Sequence, residues 1–318
     1  MNDRYKAMLF QNPEYVPITM GILPSAWKKY REQLTAITSK HPILFGSNQS
    51  QRDYDAIKGT YVEGSHTDAW GCVWENIHSG REAIVKHHPY PTRESVRGIK
   101  QPEKDMGFPH GFMYLRLADL RGFEELMIDF AEEPPELQLL IDTVLKYNIR
   151  QVKLWLDNPR EEKRIVYFGD DLGMQTSLPM SPAKWRQYLK PCYKHLYKLM
   201  HDAGYYVYMH TDGHIHEIIP DLVECGVNII NPQIRANGLD NLARVCKGKV
   251  CVALDLDRQM FPFCSPADMD PHVREAVEKL GSPEGGLILV AEVDDGVPLE
   301  NIDALATALE KYRSYFRT

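Results

Sequence analysis

The chain has 318 residues, 43% hydrophobic and 25% charged, with a formal net charge of −7. That is a globular composition, large enough for a sizeable core, and its dispersed basic residues form no groove or arm for nucleic acid. No apolar stretch reaches the length of a membrane span, and the N-terminal MNDRYKAMLFQNPEYVP has no apolar signal core, so no membrane partner is expected.

Near the N-terminus YVPITMGI reads as a strand and PSAWKKYREQLTAI as the helix after it. Residues 46–110 are rich in Gly, His, Pro and charge with weak periodicity, and should hold an irregular strand and a functional excursion. GFMYLRL reads as a further strand, and PELQLLIDTVLKYNIRQVKLWL as a long helix. From residue 165 the punctuation is regular. Ile165–Gly169 is a short apolar strand ending in Asp170 and Asp171. Ser181 and Pro182 then open a helix, the serine capping free amides and the proline suiting the first turn. Its apolar stripe runs through Trp185, Tyr188, Leu189, Cys192, Leu196, Leu199 and Met200 until Gly204 stops it.

The alternation repeats: strand 205–210, helix 216–225, strand 227–232, helix 238–248, strand 250–256, a helix opened by Ser265-Pro266-Ala267-Asp268, strand 286–293 and a closing helix 298–316. The strands are short and almost wholly apolar, as when both faces are covered. Strand–helix alternation of this kind implies parallel pairing with right-handed crossovers. The expected architecture is α/β: a single (β/α)8 TIM barrel spanning 1–318, with an irregular N-terminal segment. Six cysteines without a C-x-x-C pair read as reduced thiols of a cytoplasmic protein.

In a parallel barrel the site lies where strands end and the following loops begin. Those positions here are Asp170 and Asp171, His210 and Asp212, Asn231 and Gln233, Asp255 and Asp257, then Glu292, Asp294 and Asp295. One acid at a loop start is ordinarily a helix cap or a solvated charge. Five consecutive apolar strands with polar ends read together as a site. The densest cluster is His210-Thr211-Asp212-Gly213-His214-Ile215-His216, in which His-x-Asp at a strand-to-loop junction suits a first-row metal, zinc above all, or a hydrogen-bonded polar network. Asp212-x-His214 begins a corrinoid-binding Asp-x-His-x-x-Gly, but the last position is Glu217, so the match fails. A second patch, Asp68-Ala69-Trp70-Gly71-Cys72-Val73-Trp74-Glu75-Asn76, could wall an apolar pocket with Trp70 and Trp74 and supply a proton donor in Glu75; it reads equally as a packed strand. Cys72 reads as a small buried hydrophobe.

YFGDDLGMQTS, SPAKWRQYLKPCYK, MHTDGHIHEIIPDLVECGVNIINPQ and VPLENIDAL resemble, in order, the C-terminal half of uroporphyrinogen decarboxylase-like proteins. DAWGCVWEN resembles the N-terminal motif of a subgroup found beside corrinoid proteins. Decarboxylases proper carry an arginine-rich N-terminal motif for the porphyrin carboxylates; VPITMGILPSAWKKYREQL lacks the paired arginines, so porphyrin decarboxylation is not expected. Thiol-methylating relatives hold zinc by His-x-Cys and a later Cys. His210 matches that His, but Asp212 stands at the first Cys and Ala291 or Glu292 near the second.

The resemblance therefore implies the corrinoid-dependent demethylase branch, a methyltransferase passing a methyl group from a small methylated substrate to the corrinoid of a separate protein. A methoxyaromatic ether is favoured over a methylamine. The implied zinc ligands are His210, Asp212, His214 and Glu292, without thiolate. His210, Asp212, Asp170 and Glu75 are the catalytic candidates, with Asp171, Trp70, Trp74, Asn231 and Gln233 for substrate binding. The partner is a corrinoid protein, with a homodimer as one form of the chain. A metal-independent decarboxylase or lyase, and a non-catalytic relative binding a ligand or a corrinoid protein, are the alternatives.

Overall fold

The computed structural model describes residues 2–47, 52–158 and 164–317. Among these the strands are β1 (Ile18–Ile22), β2 (Gly64–Thr67), β3 (Val73–Asn76), β4 (Ile84–His87), β5 (Ile165–Gly169), β6 (Tyr206–Thr211), β7 (Val227–Pro232), β8 (Cys251–Asp255) and β9 (Leu287–Val293). Six form a parallel sheet, hydrogen-bonded in the order β1-β9-β8-β7-β6-β5, and β2-β3-β4 form a separate small sheet in which β3 and β4 are antiparallel. The α/β class and the parallel pairing are as the sequence implies. The sheet has six strands among the described residues, where eight were expected.

Contacts divide the chain into two compact units, the boundary falling inside β7. The first (1–64, 76–83 and 231–318) contains β1, β8 and β9. Ile18 pairs with Leu289 and Ile22 with Val293; Val252 pairs with Leu287 and Asp255 with Val290. All five residues of β8 are buried, which explains its unbroken apolar run. The helix Pro24–Lys40 starts with proline in its first turn, and Leu299–Tyr312 buries Ile302, Leu305, Ala306 and Leu309 at helical spacing.

The second unit (65–75 and 84–230) contains β5 and β6, paired in parallel with Tyr167 opposite Tyr208 and Gly169 opposite His210. The helix Pro135–Leu156 agrees with its sequence pattern and buries Leu137, Leu140, Ile141 and Val144. Three expectations are corrected here. The segment read as the strand GFMYLRL is helix Tyr114–Arg121. The long helix opened by Ser181 breaks into Pro182–Tyr188 and Lys190–Asp202. Pro191 has no N–H to donate to the preceding turn, so the ladder restarts there. Residues 46–110, as far as described, carry the small three-stranded sheet rather than one irregular strand.

Candidate functional site in the second unit

The C-terminal ends of β5 and β6 are tied together through their loops. The Asp170 N–H donates to the His210 carbonyl at 3.0 Å, that of Gly173 to Asp212 at 3.2 Å, and that of His214 to Met174 at 2.7 Å. Gly173 and Gly213 are needed for this approach. A Cβ on Gly213 would lie 2.3 Å from the Gly173 backbone, and Gly213 has φ of +84°. The Thr211 hydroxyl, fully buried, accepts the Leu172 N–H at 3.0 Å.

Asp170 and Asp171 point to opposite sides of this junction. Asp170 is fully buried. Its carboxylate accepts the N–H groups of Met113 at 3.1 Å, Tyr114 at 2.6 Å and Leu115 at 2.8 Å, and the Tyr193 hydroxyl at 2.6 Å. It thus satisfies the orphan amides at the start of helix Tyr114–Arg121. Burial pushes its carboxyl above the usual range, although the hydrogen bonds from Tyr193, Leu115 and Tyr114 oppose the shift. As a catalytic candidate Asp170 is fully engaged, and what it does in the structure is anchor the segment carrying His110.

Asp171 lies between two imidazoles. Its Oδ2 is 3.1 Å from His110 Nε2, and its Oδ1 is 3.8 Å from His210 Nε2 and accepts the Asp212 N–H at 3.0 Å. His110 and His210 have ring centroids 5.5 Å apart, and one ligand atom from each of His110, Asp171 and His210 fits within 4.8 Å of the others. Burial alone would raise Asp171, but the hydrogen bond from His110, its charge, the Asp212 amide and His210 together hold it below the usual carboxylate range. The hydrogen bond to Asp171 raises His110 against the effect of burial. His110 is held over β5 because Gly111 donates its N–H to the Gly169 carbonyl at 2.8 Å, and because Gly169 has no side chain: a Cβ there would lie 2.6 Å from His110 Nδ1.

His110 was missed in the sequence. Reading 111–117 as a strand put it at a strand's beginning, the wrong end of a parallel sheet for chemistry. The Pro109-His110-Gly111 triplet was the available signal. Asp212 lies with the cluster, its Oδ1 3.3 Å from His210 Nε2. His214 is instead 3.3 Å from Glu217 and packs edge-on against His216. Glu292 belongs to the first unit, where Arg258 Nη1 meets its Oε1 at 2.6 Å. Two imidazoles and a carboxylate suit zinc chemically, and three protein ligands leave an open position for substrate. The group that could hold a metal thus offers nitrogen and oxygen atoms, with His110 and Asp171 rather than His214 and Glu292 beside His210.

The 68–76 patch is a network of its own. Asp68 accepts the N–H groups of Trp70 at 2.9 Å and Cys72 at 3.0 Å, Trp74 Nε1 at 3.1 Å and Arg116 Nη1 at 2.6 Å. Trp70 is buried edge-on against Tyr147 and so packs in the core; Trp74 stacks with His66. Glu75 is half-buried on β3, opposite Ile84. Burial pushes the Asp119 carboxyl up to about 7, against Arg116 and with the charge of Asp68.

In the first unit the Asn231 amide donates to the Ala253 carbonyl at 2.6 Å, and Gln233 bridges to Asp255. Arg235 pairs with Asp257 at 2.7 Å. A cavity of about 820 Å³ opens at the C-terminal ends of β8 and β9, lined among others by Arg258, Met260, Phe263, Glu292 and Asp294. In both units the polar groups gather at the C-terminal ends of parallel strands, where such folds keep their sites.

No curated protein matches the sequence. Among solved structures, a methyltransferase from Methanosarcina mazei aligns with a TM-score of 0.63 and 17% identity over 97% of this chain and 98% of that one. A dihydropteroate synthase from Xanthomonas albilineans with 4-aminobenzoic acid aligns with a TM-score of 0.32 and 16% identity over 46% and 53% of the two chains. The first shares the fold; the second overlap is too slight for any argument. The family model for uroporphyrinogen decarboxylase (URO-D) matches residues 114–312, from the helix that Asp170 caps, through the loop after His210, to the closing helix; His110 lies just before the matched range. The chain belongs to the uroporphyrinogen decarboxylase (URO-D) family.

Proposed function

We propose that this protein binds a small methylated compound and passes its methyl group to the cobalt of a corrinoid carried by a separate protein. The observation that carries this reading is the convergence of His110, Asp171 and His210 at the ends of β5 and β6. Its support is the family, the missing paired arginines near the N-terminus, and a fold shared along the whole chain with a methyltransferase.

A methyl group on oxygen or nitrogen transfers poorly because the electron pair of the broken bond stays on that atom. The reduced cobalt of the acceptor supplies the pair for the new bond, so the leaving atom needs positive charge or a proton at that moment. Zinc held by His110, Asp171 and His210 would supply Lewis acidity at the leaving atom. Asp171 holds His110 by a hydrogen bond and stands 3.8 Å from His210. Asp212 sets the orientation of His210. Asp170 is a positioning residue that holds the chain beside His110. Without a metal, His110, raised by Asp171, is the proton source at the same place.

The test is alkylation of a reduced corrinoid protein, followed by absorbance, with methoxyarenes and methylamines as donors. Wild type should transfer from at least one donor. His210→Ala and Asp171→Asn should keep ligand affinity while turnover falls about 10²–10⁴-fold, because the leaving group gains charge mainly in the transition state. Release of carbon dioxide from a carboxylated substrate with no alkylation by any donor would instead establish the decarboxylase reading. Ligand binding without either reaction would make the protein a non-catalytic relative.

A further inference from the structure

Strands of a parallel sheet are ordinarily covered on both faces. On β5 one residue, Tyr167, departs from this, although Ile165 on the same face is buried. Phe168 is buried with its ring centroid 5.2 Å from Phe112 and 5.1 Å from Tyr197. Tyr167, its neighbour and therefore on the opposite face, is 53% exposed. Its ring rests on that of its register partner, Tyr208 of β6, with centroids 4.6 Å apart and planes inclined by 38°. Tyr208 is itself buried.

Two residues further along the same face come Gly169 and His210, again register partners, with the His110 imidazole over Gly169. Two residues of strand span about 6.6 Å. An exposed phenol ring thus lies one pleat before the two imidazoles and Asp171, about the reach of one benzene ring and one short substituent.

We infer that Tyr167, backed by Tyr208, is the platform on which the ring of an aromatic methyl donor lies, its methoxy group directed toward His110, Asp171 and His210. The direction of the substituent rests on the methyl-transfer reading; the ring-binding face does not. A methylammonium donor would call for rings on several sides of the cation. Here Tyr208 is buried behind Tyr167, and the Tyr167 ring is the exposed one of the pair, a single aromatic face that suits a planar ring in offset contact.

The experiment is isothermal titration of the full chain with phenol and 2-methoxyphenol, and with tetramethylammonium as the competing chemistry. Wild type should bind both aryl compounds in preference to the cation. Tyr167→Phe should keep that affinity, whereas Tyr167→Ala and Tyr167→Leu should weaken it about three- to tenfold. Tyr167 is half in solvent, so these variants should fold, and circular dichroism checks it. Equal phenol affinity in Tyr167→Ala and wild type would overturn the inference, as would binding of tetramethylammonium but not phenol. The two readings fail separately. Transfer from methylamines alone would sink the platform and spare the reaction. Tyr167-dependent phenol binding without alkylation by any donor would spare the platform and sink the reaction.

Discussion

Replacing Asp170 by alanine removes the acceptor from four donors at once: the backbone amides of Met113, Tyr114 and Leu115 and the hydroxyl of Tyr193. Each buried donor left without a partner costs about 1–3 kcal/mol. The sum overstates the effect, because alanine also relieves the burial of a carboxylate. A loss of about 3–5 kcal/mol, near the low end of that sum, is expected here. Asparagine is the informative control. Oδ2 serves three of the four donors and Oδ1 only Leu115. An amide oxygen at the Oδ2 place keeps three bonds and turns its NH₂ against one N–H, so Asp170→Asn should lose about 1–3 kcal/mol. Tyr193→Phe should fall in the same range. Urea unfolding reads these as shifts in midpoint at constant slope. If Asp170→Ala unfolds within about 0.5 kcal/mol of wild type, the range of an ordinary surface change, the carboxylate does not hold the His110 segment.

The His110 proton must leave before Nε2 can bind a metal. Since Asp171 raises that pKa, zinc affinity should climb with pH beyond the ordinary histidine range, and affinity that falls between pH 6 and 8 would contradict this. In chelator the same pair sets stability. His110 contributes below about pH 6.5 and loses its contribution as pH rises through its raised pKa; Asp171 contributes above about pH 3.9 and loses it as pH falls through its lowered one. His110→Gln should flatten the alkaline limb of a melting-temperature profile. Gly169→Ala should push His110 aside and weaken zinc binding about 10–100-fold without unfolding the chain, as calorimetry would show. At pH 8 iodoacetamide should modify native Cys264 well before the other five. Burial pushes Cys72, Cys192, Cys246 and Cys251 up to about 12 and Cys225 up to about 11, and early labelling of any of these, seen by mass spectrometry, would refute the burial assigned to them.

The half of the chain after residue 165 was legible because its strands are apolar on both faces and its helices carry ordinary start and stop residues. β5 begins and ends where the sequence places it. The break at Pro191 was equally legible, but the apolar stripe running across it hid the missing amide. Helix Tyr114–Arg121 was not. It lacks a local cap, and its first amides are satisfied by Asp170, more than fifty residues later in the chain. That long-range bond decides its secondary structure, and no local pattern contains it. The same error concealed His110. His210 and Asp212 were found because strand-end position is a local signal. The rest of the cluster was not, because which side chains join His210 depends on Gly169 leaving room for a ring from another loop. Trp70 illustrates the opposite failure: a chemically suggestive residue whose ring packs against Tyr147 in the core.

X-ray absorption of the zinc-loaded protein tests most directly the claim that one loop and two strand ends form a single centre. The account predicts one zinc per chain with a first shell of two imidazole nitrogens and oxygens and no sulfur. One imidazole should disappear from the spectrum in His110→Ala and likewise in His210→Ala, provided zinc is retained, and Asp171→Asn should weaken zinc binding. A sulfur scatterer, or a first shell unchanged in His110→Ala, would contradict it.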